Sequence, residues 1–168
     1  TTMERMILLA DIHSNRWALE AVLDRIDSSG SPRIICLGDV VGYGPAPNPT
    51  IELLKQWDVE IIAGNHDAAC AGRIQITNFN RHAKKAVEWT RDRLTGDHRD
   101  FLRDLPTYHS DSSFCYYHGH PRDPLFEYLT PETQAEQGLS AIDRPRLAVG
   151  HSHKPLLFRE LGGVLRSE

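Results

Sequence analysis

A chain of 168 residues, 40% hydrophobic and 25% charged, can bury one sizeable core but is too short for two ordinary domains. Its net charge of −4 gives no basic footprint for DNA or RNA. The start Thr1-Thr2-Met3-Glu4-Arg5 lacks the hydrophobic core of a signal peptide. The expectation is one soluble, cytoplasmic domain over residues 1–168 with no membrane span. Three cysteines, Cys36, Cys70 and Cys115, are odd in number and read as buried free thiols of a reducing compartment.

The elements alternate between strand and helix. Met6-Ile7-Leu8-Leu9-Ala10 is a short apolar run and reads as a buried strand. Leu19, Val22, Leu23 and Ile26 recur at helical spacing, so 15–27 is predicted as an amphipathic helix closed by Gly30 and Pro32. Ile34-Ile35-Cys36-Leu37 is a second strand. Residues 42–49 carry three prolines and form a loop expected to wall the active site. Asn48 and Pro49 look like the N-cap and first-turn proline of a helix ending at Trp57. A third strand covers 59–63. Phe79, Ala83, Ala86, Val87, Thr90 and Leu94 give the core stripe of another helix. Its Arg81, Lys84, Lys85, Arg91 and Arg93 are interrupted by Glu88 and Asp92, and read as a solvated face. A shorter helix covers 97–105. Strands follow at 113–117, 146–149 and 155–159, with a helix near 131–138.

Five of these strands run into short motifs rich in metal-binding side chains. They are Asp11-Ile12-His13, Gly38-Asp39, Gly64-Asn65-His66-Asp67, His118-Gly119 and Gly150-His151-Ser152-His153. Alone, each is commonly a turn or a surface pair. Together, each after an apolar run, they point to a single site. In open α/β sheets, ligands bind beyond the carboxyl ends of the strands, so the motifs are expected to converge. In an extended segment i and i+2 share a face, which would aim Asp11 with His13, and His151 with His153, at one spot. Gly38, Gly64 and Gly150 suit a backbone that turns sharply where ligands crowd. Carboxylates and imidazoles suit Mn, Fe, Zn or Ni, and the absence of cysteine from the motifs argues against a structural zinc site. The inventory fits two adjacent divalent metals and an acid, and so metal-assisted hydrolysis of a phosphate ester. His82, His98 and His109 read as ordinary solvated histidines.

The motifs resemble those of the calcineurin-like metallophosphoesterases: D-x-H, G-D, G-N-H-[DE], a histidine, then G-H-x-H, all matched between Asp11 and His153. The text at 38–45 and 118–124 looks like a bacterial branch of small phosphoesterases. The resemblance implies an α/β fold: a four-layer αββα sandwich of two mixed β-sheets flanked by helices. It implies that Asp11, His13 and His153 hold one metal, that Asn65, His118 and His151 hold a second, and that Asp39 bridges both. His66 would be the general acid and Asp67 would orient it. Either histidine of His118-Gly119-His120 could be the ligand. The family ligand precedes glycine, which favours His118 and leaves His120 behind it or at the rim.

The implied reaction is hydrolysis of a small phosphomonoester or phosphodiester. Two divalent ions, Mn²⁺ first and Fe, Zn, Ni or Mg as alternatives, would lower the pKa of bound water towards ~7 for hydroxide attack. His66 would protonate the leaving oxygen, an acceleration of about 10²–10⁴-fold. Asn65, His66 and Arg122 are candidate substrate contacts, although Arg122 could instead pair with Asp123. Rival readings are a dinucleoside polyphosphate hydrolase, a protein phosphatase, or a catalytically silent scaffold for protein binding. Such scaffolds typically lack the acid or several ligands, all of which are present here. Relatives usually continue through further strands after the last motif, whereas this sequence ends at Glu168. The second sheet is therefore expected to be incomplete, leaving apolar Pro155-Leu156-Leu157-Phe158 at an edge that invites a homodimer.

Overall fold

The computed structural model describes residues 5–27, 32–161 and 164–167. The elements run β1 (Met6–Leu9), α1 (Arg16–Asp27), β2 (Arg33–Cys36), α2 (Pro47–Gln56), β3 (Glu60–Ile61), α3 (Asn65–Cys70), α4 (Arg81–Arg93), α5 (Gly96–Asp104), β4 (Tyr108–Ser110), β5 (Phe114–Tyr117), α6 (Glu132–Ser140), β6 (Arg146–Val149), β7 (Phe158–Leu161) and β8 (Val164–Ser167). Gly30, expected to close the first helix, lies outside the described residues, as do residues 1–4.

Strands β1, β2 and β3 form one parallel sheet, in register from Met6 beside Arg33 to Leu9 beside Cys36. In the second sheet, β4 is antiparallel to β5 and β5 is parallel to β6. β7 and β8 pair as a separate antiparallel hairpin. Period-two alternation in β2 explains the layering. Ile34 and Cys36 face helices α1, α2, α4 and α5, packing with Leu23, Ile51, Leu54 and Val87. Ile35 and Leu37 face the other way, against Ile62, Tyr116 of β5 and Ala148 of β6. This second cluster is the seam between the sheets. Helix α6 covers the far side of the second sheet through Ala135 and Leu139, against Leu147 and Val149. The order is helices, sheet, sheet, helix: the αββα sandwich, with a small second sheet. Each fully buried Ile or Leu in these clusters contributes about 1.5–3 kcal/mol.

A polar clamp fastens the sheets at the end opposite the motifs. Arg33 of β2 donates to both Glu60 carboxylate oxygens, at 2.6 and 3.0 Å, and to Asp111 Oδ2 at 2.5 Å. Asp111 Oδ2 also accepts from the Tyr116 hydroxyl at 2.7 Å. Its Oδ1 accepts the backbone N–H groups of Ser113 and Phe114.

Several local expectations are corrected. Helix α2 begins at Pro47 and is preceded by Ala46, which makes no side-chain cap. Asn48 does not cap it; its amide donates to Arg93 O and accepts from Thr95 N. His98 is not solvated: it is 6% exposed, held by Asn48 Oδ1 at 2.8 Å and by Glu52. His109 meets Glu60 at 3.0 Å. Residues 155–157 are irregular, and the strand expected there starts at Phe158. Helix α3, β4 and β8 were not foreseen. Short elements carry too few periodic positions to announce themselves. The three cysteines are buried and unpaired.

Candidate metal centre

All five motifs sit at one rim, just past the carboxyl ends of β1, β2, β3, β5 and β6. They do not reach it by extended geometry. Asp11, His13, Asp39, His151 and His153 all have positive φ, between 48° and 65°. This left-handed region costs L-residues energy and collects at functional sites. The same-face argument for Asp11 with His13 and His151 with His153 is therefore replaced. The chain doubles back within each motif, and backbone bonds from Asp11 N to Gly38 O and from His13 N to Asp39 O lock the turns together. Among the glycines, Gly64 matters most: a methyl group there would lie 2.1 Å from Asp39 Oδ1.

The side chains gather as two groups, Asp11 with His13 and His153, and buried Asp39 with His118 and His151. His13 Nε2 lies 3.2 Å from His153 Nε2, and His153 Nε2 lies 3.4 Å from Asp11 Oδ1. His118 Nε2 lies 3.2 Å from Asn65 Oδ1 and 3.1 Å from His151 Nδ1. Asp39 Oδ2 stands between the groups, 3.7 Å from His13 Nε2 and 3.4 Å from His118 Nε2. Its Oδ1 accepts His66 N at 2.9 Å.

The protonation pattern tests whether metals fit. His118 Nδ1 donates to Leu37 O at 2.8 Å, His13 Nδ1 to Val41 O at 3.2 Å, and His151 Nε2 to Phe126 O at 3.3 Å. Each carbonyl fixes a tautomer and turns the other nitrogen's lone pair inward, the usual support of a metal-binding histidine. Lone pairs and carboxylates thus face one another, an arrangement that only a cation or protons can satisfy. Spacings of 3.1–3.4 Å also suit neighbouring ligands on one ion, given metal–nitrogen bonds of about 2.0–2.1 Å. The donor set fits two divalent ions.

Charges respond accordingly. Burial opposes protonation of His118, but the Asp39 carboxylate overrides it and raises the imidazole to about 9. Burial, then the charge of His118, lowers His151 to about 4. Asp39 is fully buried, yet the surrounding histidines hold it below the usual carboxylate range. Burial raises Asp11.

His66 belongs to neither group. It is 4% exposed and ringed by aromatic side chains, with centroids 4.6 Å to Tyr43, 5.0 Å to His13 and 5.2 Å to Phe79. Among the described residues its Nδ1 has no hydrogen-bond partner, and burial lowers the ring to about 4. Among the described residues, no hydrogen bond joins Asp67 to this ring. Its carboxylate accepts the N–H groups of Val40, Val41 and Gly64, at 3.2, 3.0 and 3.0 Å. It therefore ties the Asp39 loop to the start of α3, the turn that carries His66. Burial, then the charge of Asp39, pushes the Asp67 carboxyl up against those three donors.

A cavity of about 590 Å³ opens over the centre, bordered by His13, Asp39, Asn65, His66, His151 and His153. Tyr43, from the proline-rich loop, stands in its wall as expected. Asn78, Phe79, Phe126 and Tyr128 also line it, and sequence reasoning missed them because no motif marks them. Arg122 does not line it; its guanidinium reaches Glu127 at 2.6 Å and Gln137 at 2.8 Å. His120 is buried behind the centre and bonded to Gln134 O at 3.1 Å and Arg122 N at 3.1 Å.

An αββα sandwich with clustered histidines and carboxylates at the strand rim defines a metallophosphoesterase fold. Residues 4–166 match the calcineurin-like phosphoesterase superfamily domain, and the chain belongs to that family. It is 34% identical over 166 residues to the uncharacterized protein MJ0912 of Methanocaldococcus jannaschii, covering 96% of this chain and 67% of that one. Its fold matches a metallophosphoesterase from Sphaerobacter thermophilus at a TM-score of 0.78 and 39% identity, over 90% of this chain and 62% of that one. It matches the hypothetical protein PH1004 of Pyrococcus horikoshii equally, at 0.78 and 26% identity, over 90% and 70%. The chain thus spans roughly two thirds of the length of these relatives. Among the described residues, no helix is long and apolar enough to cross a membrane.

Proposed function

We propose that this chain is a dinuclear-metal phosphoesterase that hydrolyses a small phosphomonoester or phosphodiester. The observation that carries this reading is the pair of facing lone-pair groups with Asp39 Oδ2 between them. Asp11, His13 and His153 would hold one ion. Asn65, His118 and His151 would hold the other, with Asp39 shared. The oxygen and imidazole donors favour Mn²⁺, with Fe, Zn, Ni or Mg as alternatives. Such ions, when bound, supply Lewis acidity to a phosphate ester and to the attacking water.

The chain's own groups do the rest. The left-handed turns and the Asp67 staple fix the donors before substrate arrives. Asn65 and His66 border the cavity where the ester would sit. His66 is the general acid for the departing oxygen. Burial keeps it neutral near pH 7, so it takes up its proton once the negative charge of a phosphate lies beside it. Arg122, the third candidate substrate contact, is tied instead to Glu127 and Gln137.

Metal analysis after reconstitution with Mn²⁺, with a panel of phosphate esters, tests the reading. Two ions per chain and hydrolysis are expected. One ion or none, or two ions without turnover on any ester, overturns it; the latter result is that of the silent scaffold. Asp39→Asn should weaken both sites together, and loss of a single ion would show that Asp39 is not shared. The proposal also includes a cytoplasmic setting, suited to three buried free thiols. It includes a homodimer through the C-terminal segment, where Leu156 and Leu157 are 41% and 50% exposed. Leu157→Lys should weaken self-association in sedimentation, and a monomer across a wide concentration range removes that part.

A further inference from the structure

The walls of the cavity say what kind of ester fits. Its volume of about 590 Å³ is far more than a phosphate group fills, and is in the range of sites for drug-sized organic ligands. Among the described residues, no lysine or arginine lines it, and the one charged side chain added beyond the metal-binding groups is Asp123. The Asp123 carboxylate is fixed by the N–H groups of Leu125 and Phe126. The centre itself offsets limited negative charge: two divalent ions bring four positive charges against the two carboxylates Asp11 and Asp39. A chain of several phosphates would find no further cation in this cavity.

The wall is aromatic instead. Tyr43 and Tyr128 line it and are about half exposed, at 49% and 53%. Tyr128 is stacked on His151, with centroids 4.2 Å apart and planes within 7°. Tyr43 lies edge-on to His13 at 4.9 Å and tilted against His66, with centroids 4.6 Å apart. Both rings are thus braced against the site yet offer free surface. Asn78 lines the same cavity, exposed and without a hydrogen-bond partner among the described residues. Braced rings with a free amide suit a planar, hydrogen-bonding aromatic group. Aromatic platforms stabilise stacked bases by about 1–3 kcal/mol each.

Resting on the phosphoesterase reading, we infer that the substrate is a phosphodiester bearing a planar aromatic group such as a nucleobase, with Tyr43 and Tyr128 determining specificity. Water adds across one P–O bond. Its oxygen bonds to phosphorus, the ester oxygen departs with a proton, and a phosphomonoester and an alcohol result.

The experiment compares kcat and KM of the Mn²⁺-loaded full chain on four probes: thymidine 5′-(4-nitrophenyl) phosphate, methyl 4-nitrophenyl phosphate, 4-nitrophenyl phosphate and diadenosine tetraphosphate. The thymidine diester should exceed each of the others in kcat/KM by about tenfold or more, which is about 1.4 kcal/mol. Tyr43→Ala and Tyr128→Ala should each raise KM for the thymidine diester about tenfold and so compress its advantage over the methyl diester. Tyr43→Phe and Tyr128→Phe should retain that advantage, because the ring face does the binding. Preference for the monoester or the tetraphosphate overturns the inference and leaves the phosphoesterase reading intact. So does an equal loss on both diesters in the alanine variants. Hydrolysis of no probe by protein carrying two ions overturns both.

Discussion

Nε2 of His118 lies 3.1 Å from Nδ1 of His151, and both nitrogens turn their lone pairs inward because their ring partners donate to Leu37 O and Phe126 O. Something positive must stand between these rings and Asp39. Without a metal it is a proton on His118, which Asp39 holds up to about 9 against the effect of burial. Metal must displace that proton. Mn²⁺ binding near pH 7.5 should release about one proton from His118, and affinity should rise with pH until about 9 and fall below it. Calorimetry in buffers of different ionisation enthalpy measures the proton count. A count near zero would show that His118 is not a ligand.

His66 offers a separation of binding from chemistry. It belongs to neither lone-pair group, so His66→Ala should retain both ions. Turnover should fall about 10²–10⁴-fold on esters with poor leaving groups, which need the proton, and least on nitrophenyl esters. Equal losses on both kinds of ester would argue that His66 stabilises phosphate charge instead. Loss of metal would make it a ligand.

The sequence disclosed the fold class and the convergence of the site because both rest on strong local signals. Apolar runs mark β1, β2 and β5, and each is followed by residue types with few bland explanations in combination. The route of convergence was hidden. Asp11 and His13 looked like an extended pair, but left-handed φ angles are invisible in residues that are neither Gly nor Asn. The role of Asp67 was hidden too. The resemblance implied that it orients His66, but not by what route: the first turn of α3 swings its carboxylate onto Val40, Val41 and Gly64. His98 looked polar and solvated because its partners, Asn48 and Glu52, lie some fifty residues away. Tyr128 and Asn78 belong to irregular segments whose placement no periodicity encodes.

The clamp around Arg33 predicts a pH-dependent stability remote from the metals. Glu60 is lowered chiefly by its bond to Arg33. Burial would raise Asp111, but the N–H of Ser113, the Tyr116 hydroxyl and Arg33 together hold it well below the usual carboxylate range. Depressed carboxylates stabilise the fold above their unfolded pKa of about 4, and lose that contribution as pH falls further. Arg33→Met should therefore cost about 1–3 kcal/mol at pH 7, towards the lower end because the Glu60 side chain is 41% exposed and screened. The gap from the parent should narrow between pH 5 and 3. Urea unfolding across that range measures it, and a gap independent of pH would show that Arg33 acts by packing alone.

Gly42 should control His66, which belongs to neither metal-binding group. Its φ is +95°, and a methyl group there would lie 2.5 Å from His66 Nδ1 and 3.0 Å from its Cγ. The ring is hemmed in by Tyr43, His13 and Phe79, so it cannot step aside without leaving the cavity wall. Gly42→Ala carries two costs: left-handed backbone strain of about 1–3 kcal/mol, and displacement of the candidate acid. Gly72→Ala separates them, since Gly72 has φ +77° but nothing within 4 Å of the added carbon. Both variants should unfold at lower temperature and keep two ions. Gly42→Ala alone should lose turnover, by about tenfold to a hundredfold as expected for a misplaced catalytic group, and the loss should again be greatest for poor leaving groups. Thermal unfolding, metal content and kcat on paired esters decide it. Equal turnover in the two variants would mean that His66 tolerates displacement and is not the proton donor.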